Sequence, residues 1–329
     1  MSILITGAMG FIGSQTAYTF LDQNQEIILL DRVSPKHLEN LREKTKFYQI
    51  ELLDKESIRN LFKLEKIKAV IHFAANIEVG ESQMNPEKYY YNNVLGSLNL
   101  LSVMKEFDVK NIVFSSTAAV YGNPKNIPIT ENSETKPINT YGRTKFMTEM
   151  MISDFVSGYG FSAIALRYFN ACGSDPQSRT GENHNPESHL IPIILQTALG
   201  IRKSFDIYGN DYNTKDGSCV RDYINVMDLA EAHILAVNKL ISGEIKGFEA
   251  INLGTGSGFS VKEILEEATK ITNKKINFEL KNRRSGDPET LVADNQKAKI
   301  VLGWEPKYSD LKTIIETAWN WILKKNQAE

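Results

Sequence analysis

The stretch T-G-A-M-G-F-I-G, residues 6–13, follows the apolar run Ile3-Leu4-Ile5 and leads into a segment with helical spacing. Gly7, Gly10 and Gly13 recur at every third residue across that junction. At a strand-to-helix turn, glycine permits a tight bend and close approach of backbone to a ligand. The helix N-terminus adds N–H groups and a positive dipole end suited to a pyrophosphate. The spacing is a G-x-x-G-x-x-G variant of the dinucleotide fingerprint G-x-G-x-x-G. It predicts that residues 3–22 are the first strand–helix unit of a parallel sheet.

Outward from this turn, short β-branched runs alternate with longer amphipathic segments, the pattern of a sheet covered by helices on both faces. Strands are predicted at Ile3–Thr6, Glu26–Asp31, Lys46–Ile50, Ala69–Phe73, Asn111–Ser115 and Ser162–Arg167. Helices are expected near 11–22, 53–65, 86–107 and 141–158. The fold class is therefore α/β, a doubly wound parallel Rossmann-type sheet with a second, smaller α/β lobe. The division expected is 1–170 for a dinucleotide-binding domain and 171–329 for a substrate domain. Val220–Leu240 reads as a strand and helix able to return to the first lobe, so the first domain takes back part of 220–250.

The chain has 329 residues, 38 basic and 40 acidic, which gives no electrostatic footprint for nucleic acid or an anionic membrane. No run of eighteen apolar residues occurs, so no membrane span is expected. Cys172 and Cys219 are too far apart in sequence for a disulfide framework or zinc cluster, which suits a reducing, cytoplasmic setting.

The second predicted strand ends in Asp31, where a carboxylate can accept both hydroxyls of an adenosine ribose and would repel a 2′-phosphate. That favours NAD over NADP, with Arg32 as the counter-signal. Further on, V-F-S-S-T-A-A-V-Y-G (113–122) places Thr117 near the carboxyl end of a buried strand, where open α/β sheets bind ligands. In N-T-Y-G-R-T-K (139–145), capping by Asn139 or Thr140 would set Tyr141 and Lys145 one turn apart on one helix face. Taken alone, that pair reads as an ordinary surface pair, because Tyr-x-x-x-Lys is common in helices; the rest of the chain decides whether it is an acid/base device.

Thr117, Tyr141, Lys145 and the three glycines together resemble the extended short-chain dehydrogenase/reductase family, over essentially the whole chain. Within it the chain is similar to the UDP-glucose (UDP-galactose) 4-epimerases. The motifs are H-F-A-A (72–75), V-G-E-S (79–82), Y-Y-Y-N-N-V (89–94), L-R-Y-F-N (166–170), G-N-D-Y-x-T-x-D-G (209–217), V-R-D-Y-I-x-V-x-D-L-A (220–230) and R-R-x-G-D (283–287). The resemblance implies an isomerase with tightly held NAD, acting on a UDP-hexose through a 4-keto intermediate that turns over and takes back the hydride on its other face. Tyr141 would be the base at the 4′-hydroxyl, Thr117 would share that hydroxyl's hydrogen bonds, and Lys145 would hold the nicotinamide ribose. An unperturbed tyrosine has a pKa of about 10, so the role needs a shift of about three units, roughly 4 kcal/mol of differential interaction with Lys145 and the nicotinamide charge.

For NAD, the resemblance carries over to Gly7, Gly10, Phe11, Ile12, Gly13, Asp31, Arg32, Val33, Ser34, Glu51, Leu52, Phe73, Ala74, Ala75, Asn76, Ile77, Asn92 and Phe169. For the substrate it implies Asn170, His189, Leu190, Ile207, Tyr208, Arg221, Arg284, Asp287 and Leu291. Glu51 stands where the family usually has Asp, Ile77 where some members have lysine, and His189 where asparagine is frequent. Leu291 falls where residue size limits the sugar's 2′-substituent, and leans toward glucose and galactose over N-acetylated sugars. A homodimer is expected, through the helices at 86–107 and 141–158.

Two rivals stand beside this. A 4,6-dehydratase or decarboxylase shares the first half-reaction but needs an acid and base after the catalytic hydroxyl, where this chain has Ala118 and Ala119. A non-catalytic NAD-binding regulator could lose Tyr141 or Lys145, and this chain keeps both. His72 reads as structural, and Trp304, Trp319 and Trp321 as packing residues. His37, His184 and His233 form no ligand spacing, so no metal is expected.

Overall fold

The computed structural model of the chain describes residues 2–284 and 288–328. Its main sheet holds β1 (Ser2–Thr6), β2 (Ile27–Asp31), β3 (Lys46–Gln49), β4 (Ile67–His72), β5 (Asn111–Thr117), β6 (Ser162–Tyr168) and β7 (Gly247–Leu253). The spatial order is β7-β6-β5-β4-β1-β2-β3, and every neighbouring pair is parallel. Strand order reverses beside β1, which opens a crevice at the carboxyl ends of β1 and β4, the switch point where such sheets bind ligands.

Unbroken apolar runs form these strands because both faces are covered. In β2, Ile27 and Leu29 point into one layer with Ile3 and Ile5, while Ile28 and Leu30 point into the other with Leu4. Helices α1 (Phe11–Asp22), α2 (Thr140–Tyr159) and α3 (Val226–Ile241) matter most for the site. The first and third pack together over the former layer. The latter layer is covered by Lys55–Leu64, Gly96–Glu106 and the Ile152 face of α2.

The remainder has its own core, built on Leu190–Ala198, Val261–Thr272 and Leu311–Ala328, with Phe205 and Ile207 buried against them. Two elements of the sequence reading change. β7 extends the main sheet as a seventh strand, whereas the sequence reading predicts six strands and none at Gly247–Leu253. It is an edge strand whose first four residues are only partly buried, so it lacks the apolar run of the central strands. The single helix expected over 86–107 is Pro86–Tyr89, a wider π turn at Tyr90–Leu95, then Gly96–Glu106. Asn93 sits in that π turn, accepting from Asn76 N at 2.8 Å and donating to Asn76 O and Thr144 Oγ1 at 3.0 Å. Such bulges recur at functional sites.

The histidine and tryptophan expectations match the packing. His72 is buried between Thr6 (2.7 Å) and Ser97 (2.9 Å), and burial pushes its imidazole down to about 3. Trp304 and Trp321 are buried with their indole N–H groups on the carbonyls of Asp228 and Glu182, each at 2.9 Å, and Trp319 packs on the second core.

Candidate active site

The glycine turn closes tightly on itself. Gly7 has φ +69, and a Cβ there would stand 2.5 Å from Ala74 N; a Cβ on Gly13 would stand 2.2 Å from Gly7 O. At Gly10 the nearest atom would be 3.3 Å away. Gly7 and Gly13 are thus required by the turn, whereas Gly10 leaves backbone exposed to a ligand. We expect Gly13→Ala to cost about 1–3 kcal/mol of stability. Gly10→Ala should fold normally but lose nucleotide affinity. Urea denaturation and retained-nucleotide absorbance on both variants separate the two.

Asp31 ends β2 beside this turn, accepting from Met9 N (2.8 Å) and Val33 N (3.1 Å), with burial holding its carboxyl above the ordinary range against those donors. Arg32 donates to Asn76 (3.0 Å) and Asn92 (3.4 Å) and lies 3.9 Å from Glu51. Its guanidinium is therefore engaged by neighbours. Asn76 is buried, and its Nδ2 finds no partner within the protein. A buried donor at the switch point, a carboxylate at the end of β2 and an open glycine backbone fit a dinucleotide with free ribose hydroxyls. Phe73 and Ala74 are packed against the sheet layers, Leu52 lies against Gly96, and Ile77 and Val33 are exposed. Phe11 and Ile12 open α1, and Ser34 and Ala75 are partly buried in the loops beyond β2 and β4.

The Thr117 turn and α2 meet at the end of β5. Asn139 caps α2, accepting from Gly142 N at 2.7 Å. Two residues that the sequence reading passed over also hold this end: Ser82 accepts from Tyr141 N (3.1 Å) and Gln83 from Thr140 N (3.1 Å). Ser82 closes the motif V-G-E-S (79–82), quoted only as family likeness, and Gln83 follows it; their capping role depends on a contact across nearly sixty residues. Gly142 lets the helix close, since a Cβ there would lie 2.7 Å from Ala119 O.

Burial pushes the Tyr141 phenol up to about 12, with its hydrogen bond to Thr117 working in the other direction. Burial likewise brings Lys145 down to about 7, opposed by the Glu149 carboxylate. Lys145 Nζ donates to Ser115 O at 2.7 Å and stands 5.9 Å from the centre of the Tyr141 ring. The expected depression of the Tyr141 pKa rests on Lys145 acting together with the nicotinamide charge, which would have to offset this burial. Beneath lies a buried ion pair, Arg167 to Glu149 at 2.5 Å, with Ser116 also on Glu149. Tyr168 bonds Ser115 nearby.

The structure brings several predicted substrate residues to this turn. Leu291 packs with Val120, Tyr121 and Ile129 beside that turn, together with Phe169, which was expected at the cofactor. Leu291 is the register partner of Arg221 in a small strand pair, and Asn170 Nδ2 donates to Asp222 O at 3.0 Å. Tyr208 and Arg284 lie together further out, guanidinium over ring at 4.0 Å. Ile207 is fully buried in the second core. His189 and Leu190 begin the helix ending at Ala198. Asp287 falls outside the described residues.

One grouping was not foreseen. The expectation of no metal considered His37, His184 and His233, yet the fold gathers His184 and His189 with Glu182 and Glu187. A signal was present in the repeated Glu-x-His of E-N-H and E-S-H at 182–184 and 187–189. Burial acts to lower both imidazoles, but the two carboxylates prevail and hold His184 at about 9 and His189 at about 10.

The family model for GDP-mannose 4,6 dehydratase matches residues 4–317. A UDP-glucose 4-epimerase of Halalkalibacterium halodurans is 51% identical over 321 residues, 98% of this chain and 95% of that protein. The crystal structure of the Brucella ovis UDP-glucose 4-epimerase in complex with NAD is 42% identical, with TM-score 0.93 and 97% of each chain covered. That of the Bifidobacterium longum UDP-glucose 4-epimerase in complex with NAD+ and UDP is 36% identical, with TM-score 0.92 and all of each chain covered. On this likeness, which runs through the glycine turn, the Thr117 turn and the Tyr141–Lys145 helix alike, the chain belongs to the UDP-glucose 4-epimerase family of extended short-chain dehydrogenases/reductases.

Proposed function

We propose that this chain is an NAD-dependent isomerase that interconverts UDP-glucose and UDP-galactose by oxidising and re-reducing C4′ of the sugar. The observation that carries the reading is the meeting of the Thr117 turn at the end of β5 with α2, where Lys145 Nζ donates to Ser115 O at 2.7 Å and stands 5.9 Å from the centre of the Tyr141 ring. When bound, NAD supplies hydride acceptance at C4′ and its return. Gly7, Gly10, Phe11, Ile12 and Gly13 would hold the pyrophosphate, Asp31 the adenosine ribose, Asn76 and Lys145 the nicotinamide end. Tyr141 takes the proton of the 4′-hydroxyl and gives it back to the 4-keto sugar on its other face. Thr117 orients that hydroxyl and hydrogen-bonds the phenolate. Lys145 and the positive charge of the bound ring supply the stabilisation that burial withholds from Tyr141.

We assign Arg221 and Arg284 to the diphosphate, since a planar guanidinium can bond two oxygens at once. Asn170, His189 and Leu190 lie on its path, with Ile207 main chain and Tyr208 toward the uracil. Leu291, seated on the Thr117 turn, limits the 2′-substituent. The lobes are assigned as 1–170 with part of 220–250 for NAD, and the rest of 171–329 for the UDP-sugar; α3, packed against α1 and the main sheet, supports the exchange. A cytoplasmic homodimer is inferred. Exposed Leu95 in the π turn, Leu98 on the helix at 96–106, and Met147 and Met150 on the helix at 140–159 support that face.

A second reading, 4,6-dehydration, is favoured by the family model's description alone. Against it, the turn after Thr117 is Ala118–Tyr121 and carries no carboxylate. Purified protein incubated with UDP-galactose, without added NAD, is expected to yield UDP-glucose on chromatographic separation. A 4-keto-6-deoxy product, or unchanged substrate even after NAD is supplied, would overturn the proposal. UDP-N-acetylgalactosamine run in parallel should turn over poorly because of Leu291.

A further inference from the structure

Between the glycine turn and the helix Leu190–Ala198, the segment 182–189 folds its two Glu-x-His pairs onto one point. His189 Nδ1 lies 2.6 Å from Glu182 Oε1 and 3.3 Å from Glu187 Oε1; His184 Nδ1 lies 3.2 and 3.8 Å from the same two oxygens. All four atoms are within 4.8 Å of one another. Ligands about 2.0–2.1 Å from a tetrahedral zinc ion stand about 3.3 Å apart, in the middle of these separations. Two imidazoles and two carboxylates suit a borderline divalent ion, and the two carboxylates balance its charge.

The surroundings are those of a built site. The Glu182 and Glu187 side chains are 6% and 4% exposed, whereas His184 and His189 are 22% and 47% exposed, so the anions are buried and the imidazole side is open for entry. Trp321 Nε1 donates to Glu182 O at 2.9 Å and Arg202 Nη2 to Glu187 O at 3.1 Å, which anchors both carboxylate-bearing residues through their backbones. Glu187 Oε1 also accepts from Ser188 N and His189 N, at 2.9 and 3.0 Å. Outer contacts of this kind orient metal ligands and tune their basicity. His184 Nδ1 is buried with no aligned hydrogen bond, although it faces both carboxylates.

We propose that Glu182, His184, Glu187 and His189 bind one divalent transition ion of the zinc class. Ligation through Nδ1 leaves the His189 proton on Nε2 and fixes the start of the helix at Leu190. On the reading of His189 and Leu190 as diphosphate neighbours, the ion would be a staple that holds that edge of the substrate site.

The test uses tag-free full-length protein, treated with chelator and dialysed, then titrated with zinc chloride by calorimetry while bound metal is counted by elemental mass spectrometry. One zinc per chain is expected, and cobalt should give the intense visible absorption of a four-coordinate site. His184→Ala and Glu187→Gln should each weaken binding by about a hundredfold or more, with the circular dichroism spectrum unchanged. If either buried substitution disturbs folding, His189→Gln, at the exposed side of the cluster, gives the same measurement. No stoichiometric uptake, or uptake that survives these substitutions, means that an ion-pair network holds the segment and overturns the proposal. The readout is metal rather than turnover, so its failure is distinguishable from failure of the epimerase reading.

Discussion

Tyr141→Phe is expected to retain bound NAD and an unchanged melting temperature while kcat falls by a factor of about 10²–10⁴, the range associated with a positioned acid/base group. The substitution keeps the ring and removes only the phenolic oxygen, which bonds Thr117. In the protein alone that phenol is held at about 12. The base is therefore assembled only when opposing charge is brought to it, and nucleotide-free protein should show no phenolate absorbance change near neutral pH. Steady-state assays with UDP-galactose, alongside the absorbance of retained nucleotide, check the prediction. Full activity in the variant would falsify the assignment of Tyr141 as base.

Lys145→Met should reduce turnover by about a hundredfold or more and, in nucleotide-free protein, remove a pH dependence of stability. Lys145 is 2% exposed, and burial lowers its pKa from 10.5 to about 7. A lysine whose folded pKa lies below its unfolded one binds fewer protons folded than unfolded across that window. Stability attributable to it is therefore lowest below pH 7 and rises as pH increases toward 10.5. At about 1.4 kcal/mol per unit, wild type should gain roughly 2 kcal/mol relative to the variant between pH 7 and 9. Urea midpoints at the two pH values measure it; parallel curves for the two proteins would show that Lys145 is not charged against burial.

These two residues also mark how far a linear chain can be read. Tyr141 and Lys145 are one helical turn apart, so their proximity follows from local geometry once Asn139 is seen as a cap. The sign of their electrostatics does not. Lys145 lies over Phe114 and donates to Ser115 O, both brought by β5 from about thirty residues away, and its burial there brings its pKa down to about 7. The π turn at Tyr90–Leu95 was illegible for a similar reason: Asn93 reaches Asn76 and Thr144 across the fold, and no local propensity encodes that.

The sequence by itself determined the first sheet strands, the glycine turn, Asp31 at the end of the second strand and the Tyr141–Lys145 helix. Each rests on a periodicity or spacing confined to fewer than about fifteen residues, where backbone geometry alone dictates which side chains share a face. Only the tertiary structure decided that Gly247–Leu253 closes the main sheet, that Leu291 sits on the Thr117 turn, and that Glu182, His184, Glu187 and His189 converge. The first two are contacts between segments that become neighbours only through packing, and the third is one short segment held in its fold by Trp321 and Arg202 from elsewhere in the chain. Their meaning lies in desolvation and distance, neither of which exists until the chain is folded.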